Sequence, residues 1–109
     1  MESILESVKK LVNADGHEHF DDEIITHINS VFADLQQMGI GPEEGFSIVG
    51  SDKTWADFTQ DSIELNSVKS YMGLRIRLLF DPPSNSAVLE SMKQQIDKWE
   101  WRLNAAADN

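Results

Sequence analysis

One short segment, residues 17–23, carries side chains of the kinds that bind divalent metal ions. Its ligand-type residues are His17, Glu18, His19, Asp21, Asp22 and Glu23. Imidazole nitrogens and carboxylate oxygens bind zinc and related ions, but a His-X-His pair without a second ligand motif elsewhere in the chain is a weak signal. Acidic residues are also favoured in the first turn of a helix. We therefore expect a solvated helix start here, with no metal ion and no cofactor.

No other group of residues has the types and spacing that catalysis requires. The chain contains no cysteine, which excludes thiolate chemistry and disulfide bonds. No serine lies in a nucleophile elbow. The loop glycines match no phosphate-binding spacing; they are Gly39, Gly41, Gly45 and Gly50. We expect a protein that is not an enzyme.

Two arginines, Arg75 and Arg77, lie in the apolar segment 74–80, just before Pro82 and Pro83. A guanidinium group among apolar residues is costly unless a carboxylate pairs with it. Because the two arginines are two residues apart, a helix directs them to nearly opposite sides. Each arginine could reach the surface or pair with an acid of the same chain, or at least one could pair with an acid of a neighbouring copy. The sequence leaves these alternatives open.

Other residues outside the predicted core could also contact a partner. Trp101 falls off the apolar seam of the last predicted helix, so it either folds back onto its own domain or lies in an interface. Acidic residues in two places, at a predicted helix start and in a loop, could meet the arginines of another copy. The candidate interface residues are therefore Arg75, Arg77, Trp101, Asp21, Asp22, Glu43 and Glu44.

The elements that position these residues are predicted to be helices. Apolar residues recur at helical spacing in five segments, at about residues 2–12, 21–38, 54–58, 62–80 and 86–103. Glycines interrupt the pattern between the second and third long helices. There, Phe46–Val49 could form one strand of a short β-ribbon. The fold class is an all-α bundle of about four to five helices with this irregular insertion.

The predicted helix at residues 62–80 has the clearest limits and the broadest apolar surface. Asp61 opens it with a capping-box pattern, and Pro82 and Pro83 cannot continue it. Its main apolar stripe is Leu65, Val68, Met72, Ile76 and Leu79. We expect one connected domain over residues 1–103, which is all that 109 residues allow, and a flexible tail over residues 104–109.

Acidic residues are concentrated in one part of the chain. The formal net charge is −10, from 19 acidic and 9 basic residues. Between Asn13 and Leu65 there are 12 acidic residues and a single cation, Lys53, so this part carries −11 and the remainder is close to neutral. Such a surface repels phosphate backbones, which argues against a protein that grips DNA or RNA. It is compatible with lining a path along which DNA slides without binding.

Several motifs, taken in order, resemble one protein family. They are residues 20–25, Ile28-Asn29, Met38–Gly41, Trp55–Phe58, Val68–Tyr71, Arg77–Pro83 and Ile96–Leu103. Their order and spacing are similar to those of the small head–tail connector (adaptor) proteins of long-tailed phages and prophages. The resemblance covers almost the whole chain, and its motifs are features of the fold rather than of a catalytic site.

The resemblance implies a structural virion protein, made in the host cytoplasm and located at the head–tail interface. Such a protein forms a homo-oligomeric, dodecameric ring beneath the portal protein, extends the DNA channel and docks a tail-side connector or stopper protein. DNA would pass through the ring without specific binding, and no membrane would be involved. The family has no catalytic residues to transfer to this chain.

Two other classes of function stay open at this point. An acidic DNA mimic would inhibit a nucleic-acid-binding protein, and it would act as a monomer on a basic partner. A metal-dependent enzyme would use the cluster at residues 17–23, and elemental analysis of the purified protein would detect its metal.

Overall fold

The computed structural model describes residues 2–107, which fold as a bundle of helices. The helices are α1 (Ile4–Leu11), α2 (Asp21–Gln37), α3 (Trp55–Phe58), α4 (Ser62–Phe80) and α5 (Ser86–Ala107), with a 3₁₀ turn at Glu18–Phe20. Within residues 2–107 there is no strand, and an isolated antiparallel bridge joins Ser3 to Thr54. The predicted all-α fold is confirmed. The predicted ribbon at Phe46–Val49 is wrong, because that segment has no strand partner.

The limits of α4 are those predicted from its capping residues. The Asp61 carboxylate accepts hydrogen bonds from the backbone N–H groups of Ile63, at 3.0 Å, and Glu64, at 3.1 Å. These bonds satisfy donors that have no partner within the helix. At the other end, Asp81 leaves the helical conformation immediately before Pro82 and Pro83. The sequence therefore specifies both ends of this helix locally.

The core lies where α1, α2 and α5 pack against α4. The fully buried residues of α4 are Val68, Tyr71, Met72 and Ile76, and those of α2 are Ile24, Ile28, Val31, Phe32 and Leu35. Leu79 was predicted on the buried stripe of α4, but its side chain is about half exposed. A helix that is apolar most of the way round does not reveal which of its faces is covered.

The last helix continues four residues beyond the predicted end at Leu103. Leu103 is buried, and the Cβ atom of Ala107 lies 3.9 Å from the position that a Cβ atom on Gly39 would take. This contact with the end of α2 supports the extra turn. Residues 104–107 of the predicted tail are therefore helical. Asp108 and Asn109, together with Met1 of the predicted domain, lie outside the described residues.

Candidate interaction surfaces

Arg75 belongs to a cluster that joins α2, α4 and α5, and we call it the arginine cluster: Asp34, Tyr71, Arg75 and Glu100. The Arg75 guanidinium donates to the Asp34 carboxylate and, at 3.1 Å, to the Tyr71 hydroxyl. The Tyr71 hydroxyl in turn donates to Glu100 Oε2 at 2.9 Å. Of these alternatives for Arg75, the structure therefore places its acidic partner in the same chain. Its side chain connects three helices rather than pointing into solvent.

The environment of this cluster raises the pKa values of both Tyr71 and Arg75. Burial raises the pKa of Tyr71 to about 12, and hydrogen bonding to Glu100 acts in the same direction. Burial alone would lower the pKa of Arg75, but its hydrogen bonds to Asp34 and Tyr71 raise the pKa overall. Tyr71 is thus a neutral phenol and Arg75 a cation at any physiological pH. These groups are suited to holding helices together and not to transferring protons.

A second internal ion pair joins α1 to α2. The side chain of Lys9 is only 2% exposed, and its Nζ atom lies 2.8 Å from Oδ1 of Asp21. The contact with the Asp21 carboxylate raises the pKa of Lys9, so the lysine is charged although it is buried. Asp21, which was predicted as an interface residue, therefore pairs within its own chain. It is the first residue of α2, and Phe20 occupies the capping position.

The opposite side of α4 from the arginine cluster forms an open groove, which we call the basic groove. It encloses about 320 Å³ between α1, α4 and α5, and its principal lining residues are Leu11, Lys69, Gly73, Leu74, Arg77 and Trp99. Leu11 approaches α4 so closely that a Cβ atom on Gly73 would lie 3.2 Å from its Cδ1 atom. Within residues 2–107, Arg77 has no carboxylate within ion-pair distance. The groove thus combines apolar walls with positive charge.

The insertion between α2 and α3, residues 40–53, is irregular but firmly attached. The Asn29 side chain donates to the Ile48 carbonyl at 2.9 Å and accepts from the Ile48 N–H at 2.8 Å. The ring of Phe46 packs against those of Phe32 and Phe58, with centroids 5.0 and 5.4 Å away. A side-chain amide therefore takes the place of the neighbouring strand that a ribbon would need.

The chain segment that follows Ile48 is the most exposed apolar part of the insertion. We call residues 49–52 the insertion tip. Ile48 is 1% exposed, whereas Val49 is 88% exposed. The Asp52 carboxylate lies 3.9 Å from the position that a Cβ atom on Gly50 would take, so it lies close to the backbone of the tip. The hydrogen bonds between Asn29 and Ile48 therefore hold the start of the tip, which carries Val49 and Asp52 at the surface.

The remaining predicted interface residues are at the surface. Trp101 is 72% exposed on α5, and Asp22, Glu43 and Glu44 are also exposed. The backbone carbonyl of Glu43 accepts a hydrogen bond from the Gln36 side chain at 3.0 Å, which fixes the start of the insertion against α2. These residues do not form one site with Arg75, because Arg75 pairs with Asp34 of its own chain.

The histidine-rich segment forms an aromatic cluster. The rings of His17 and His19 have centroids 5.9 Å apart, and the His19 ring lies 4.0 Å from that of Phe20. Phe20 in turn packs edge-to-face on Phe80 at the end of α4. Among residues 2–107, no group of three or more histidine and acidic side chains is arranged to hold a metal ion.

Sequence reasoning missed Lys9, Tyr71 and Asn29 as residues that organise these surfaces. A signal for Lys9 was present, because it lies four residues after Leu5 and so falls on the apolar stripe of α1. Tyr71 and Asn29 gave no comparable signal. Their partners, Glu100 and Ile48, are 29 and 19 residues away in the chain, and no local pattern links them.

Comparison with known proteins gives one result. A family model described as "Phage connector protein" matches residues 4–109. No curated protein and no solved structure matches the chain significantly. No helix among the described residues is both long and apolar enough to span a membrane.

Proposed function

The chain belongs to the phage connector protein family, a family of structural proteins, and from this premise we propose how it works as a head–tail connector. We infer that copies form a homo-oligomeric ring beneath the portal protein. The ring extends the DNA channel and offers its other face to a tail-side connector or stopper protein. The family match over residues 4–109 carries this proposal, and it supports a location in the virion.

The charge of the chain supports a role along a DNA path. A ring of copies, each with a formal charge of −10, surrounds its pore with negative charge. DNA then passes through without adhering, since binding to DNA requires cations that neutralise phosphates. The same charge is shared by acidic DNA mimics. The family match favours the connector over a DNA mimic, because the matched family consists of structural proteins.

Ring closure requires two different complementary surfaces on each copy. The acidic part of the chain, with Asp22, Glu43 and Glu44 exposed, supplies one kind of surface. Arg77 in the basic groove supplies the opposite charge, and exposed Trp101 supplies a large aromatic contact. Arg75 and Asp21 contribute by keeping α4 and α1 docked on α2, because both are paired inside the chain.

The direct test is assembly on the portal. The purified chain is mixed with portal rings of the same phage, and the products are examined by native mass spectrometry and electron microscopy. We expect a ring of connector copies on one face of the portal, weakened by high salt where exposed charges are involved. A chain that stays monomeric and leaves the portal unoccupied would contradict the proposal. Tight binding of the monomer to a basic DNA-binding protein would then favour the acidic mimic.

A further inference from the structure

The insertion tip has the properties of a contact surface rather than of a solvated loop. Val49 is the most exposed of the large apolar side chains in residues 2–107, at 88%. In a flexible loop such a side chain would move freely. Here the two hydrogen bonds between Asn29 and Ile48 hold the adjacent backbone in place. An apolar side chain fixed in an exposed position suits binding, since little conformational freedom is lost on contact.

The charges of the insertion are mainly negative. Within residues 40–53 the charged side chains are Glu43, Glu44, Asp52 and a single cation, Lys53. The first two are exposed, and Asp52 lies beside the tip backbone. A surface that receives this tip must therefore offer apolar walls for Val49 and positive charge for the carboxylates. Arginine and lysine at the rim of a pocket provide that combination.

The basic groove meets both requirements. Leu11, Leu74 and Trp99 give it apolar walls, and Arg77 contributes a positive charge. Lys69 also lines it, with its ammonium group 5.5 Å from the centre of the Trp55 ring, and no acidic residue lines it. It adjoins a second groove of about 340 Å³ that shares Leu11 and Lys69, where Lys10 adds a further cation and Glu2 a carboxylate. The chain has few basic residues, so their presence beside an open apolar groove distinguishes this surface from the rest of the molecule.

We propose that the insertion tip of one copy docks into the basic groove of the next copy. This inference rests on the ring proposed above and names the contact that closes it. The tip is held by α2 and by the aromatic contacts of Phe46, whereas the groove is built from α1, α4 and α5, and the two surfaces share no residue. One copy can therefore use both surfaces at once. Contacts of this kind are heterologous and propagate from copy to copy until a ring closes.

Cross-linking tests the contact directly, because the chain contains no cysteine that would compete. The double variant Val49→Cys/Leu74→Cys is assembled on portal rings and treated with a short thiol-specific linker. We expect a ladder of covalent oligomers. An equimolar mixture of the two single variants should give cross-linked dimers and no ladder, because each copy then has one reactive surface. Val88→Cys/Leu74→Cys is the matched control, with another exposed valine, and should give no ladder.

A second measurement asks whether the contact contributes to assembly. Val49→Glu places a carboxylate where the apolar side chain should enter the groove, and it should reduce ring formation at least about tenfold. Val88→Glu should assemble like the parent chain. Circular dichroism of both variants checks that the exposed substitutions leave the fold intact.

The outcomes separate this inference from the proposed function. If the parent chain forms rings but the double-cysteine variant gives no ladder, the docking contact is wrong and the connector function stands. Cross-linking of Leu74→Cys to the portal instead of to a second copy would overturn the inference in the same way. If the parent chain forms no ring on the portal, both proposals fall.

Discussion

Two cations that face α2 are paired inside the chain, whereas Arg77 in the basic groove has no carboxylate within ion-pair distance among residues 2–107. Lys9 and Arg75 bind Asp21 and Asp34 of α2. Their near neighbours Lys10 and Arg77 line the grooves on the other side, where Lys10 contacts Glu2 at the surface, at 3.1 Å. A shift of one or two residues along a helix therefore separates a cation that pairs between helices from a cation at the surface.

The insertion repeats this division with apolar residues. Ile48 is buried and clamped by Asn29, while Val49 beside it is exposed. In all three places the inward residue has its partner within the chain. The comparison predicts that inward residues govern stability and outward residues govern assembly.

The largest effect on stability is expected at Ile48. Ile48→Ala removes a fully buried side chain and should lower the free energy of unfolding by about 3 kcal/mol. Val49→Ala should change it by less than about 0.5 kcal/mol, because its side chain is already in solvent. Urea denaturation of the two variants measures both values. Equal losses of unfolding free energy in the two variants would contradict the assignment of Ile48 to the core and Val49 to the surface.

The next largest effect is expected at alkaline pH, where ionisation of Tyr71 should weaken the arginine cluster. Tyr71 is the only tyrosine of the chain, so the ultraviolet absorbance of tyrosinate reports it alone. Its pKa in the folded protein is about 12, above the value of about 10 in an unfolded chain. The stabilisation linked to this shift is complete below pH of about 10 and is lost as the pH rises toward 12. Its full size is roughly 2 to 3 kcal/mol.

The tyrosine titration has a built-in control. Glu100→Gln removes a carboxylate that disfavours the phenolate, so the pKa of Tyr71 should fall in that variant. An ordinary tyrosine titration near pH 10 in the folded parent chain would show that the cluster is open to water.

Lys9 should show a somewhat smaller effect. Lys9→Ala removes a buried stem and leaves Asp21 without its cation, which should cost about 2 kcal/mol of unfolding free energy. Water reaches part of the Asp21 side chain and limits the loss. Lys10→Ala should cost less than about 0.5 kcal/mol. Thermal melts of the two neighbouring variants provide the comparison, and matching melting temperatures would argue against an internal role for Lys9.

Trp101 should give the smallest change in stability. Because its side chain is largely exposed, Trp101→Ala should alter the free energy of unfolding by less than about 0.5 kcal/mol. Trp55 is buried and Trp99 is half-buried in the basic groove, so the experiment uses a Trp99→Phe chain, in which Trp101 dominates the quenching of tryptophan fluorescence by acrylamide. If Trp101 lies in an interface, this quenching should decrease when the chain assembles on the portal. Unchanged quenching in the assembled ring would remove Trp101 from the interface.

Local signals in the sequence were sufficient to predict that the five helices exist and where α4 begins and ends. Asp61 and Pro82 specify the ends of α4 through the backbone groups beside them, and the structure has those ends. The single turn α3 lies within the predicted segment 54–58, where Thr54 caps it and Asp57 completes the capping box. Pairings between distant segments could not be predicted. Arg75 meets Asp34 across 41 residues, and the Phe46–Val49 segment pairs with a side chain of α2 instead of with a strand.

The most direct test of the division between inward and outward residues compares Arg75→Met with Arg77→Met. For both variants, the free energy of unfolding and ring formation on the portal are measured. Methionine keeps much of the apolar stem and removes the charge. We predict that Arg75→Met loses about 1 to 2 kcal/mol of stability, because it breaks a partly exposed ion pair and a hydrogen bond to Tyr71. Arg77→Met should keep its stability and lose ring formation. An Arg77→Met chain that assembles like the parent chain would contradict the account.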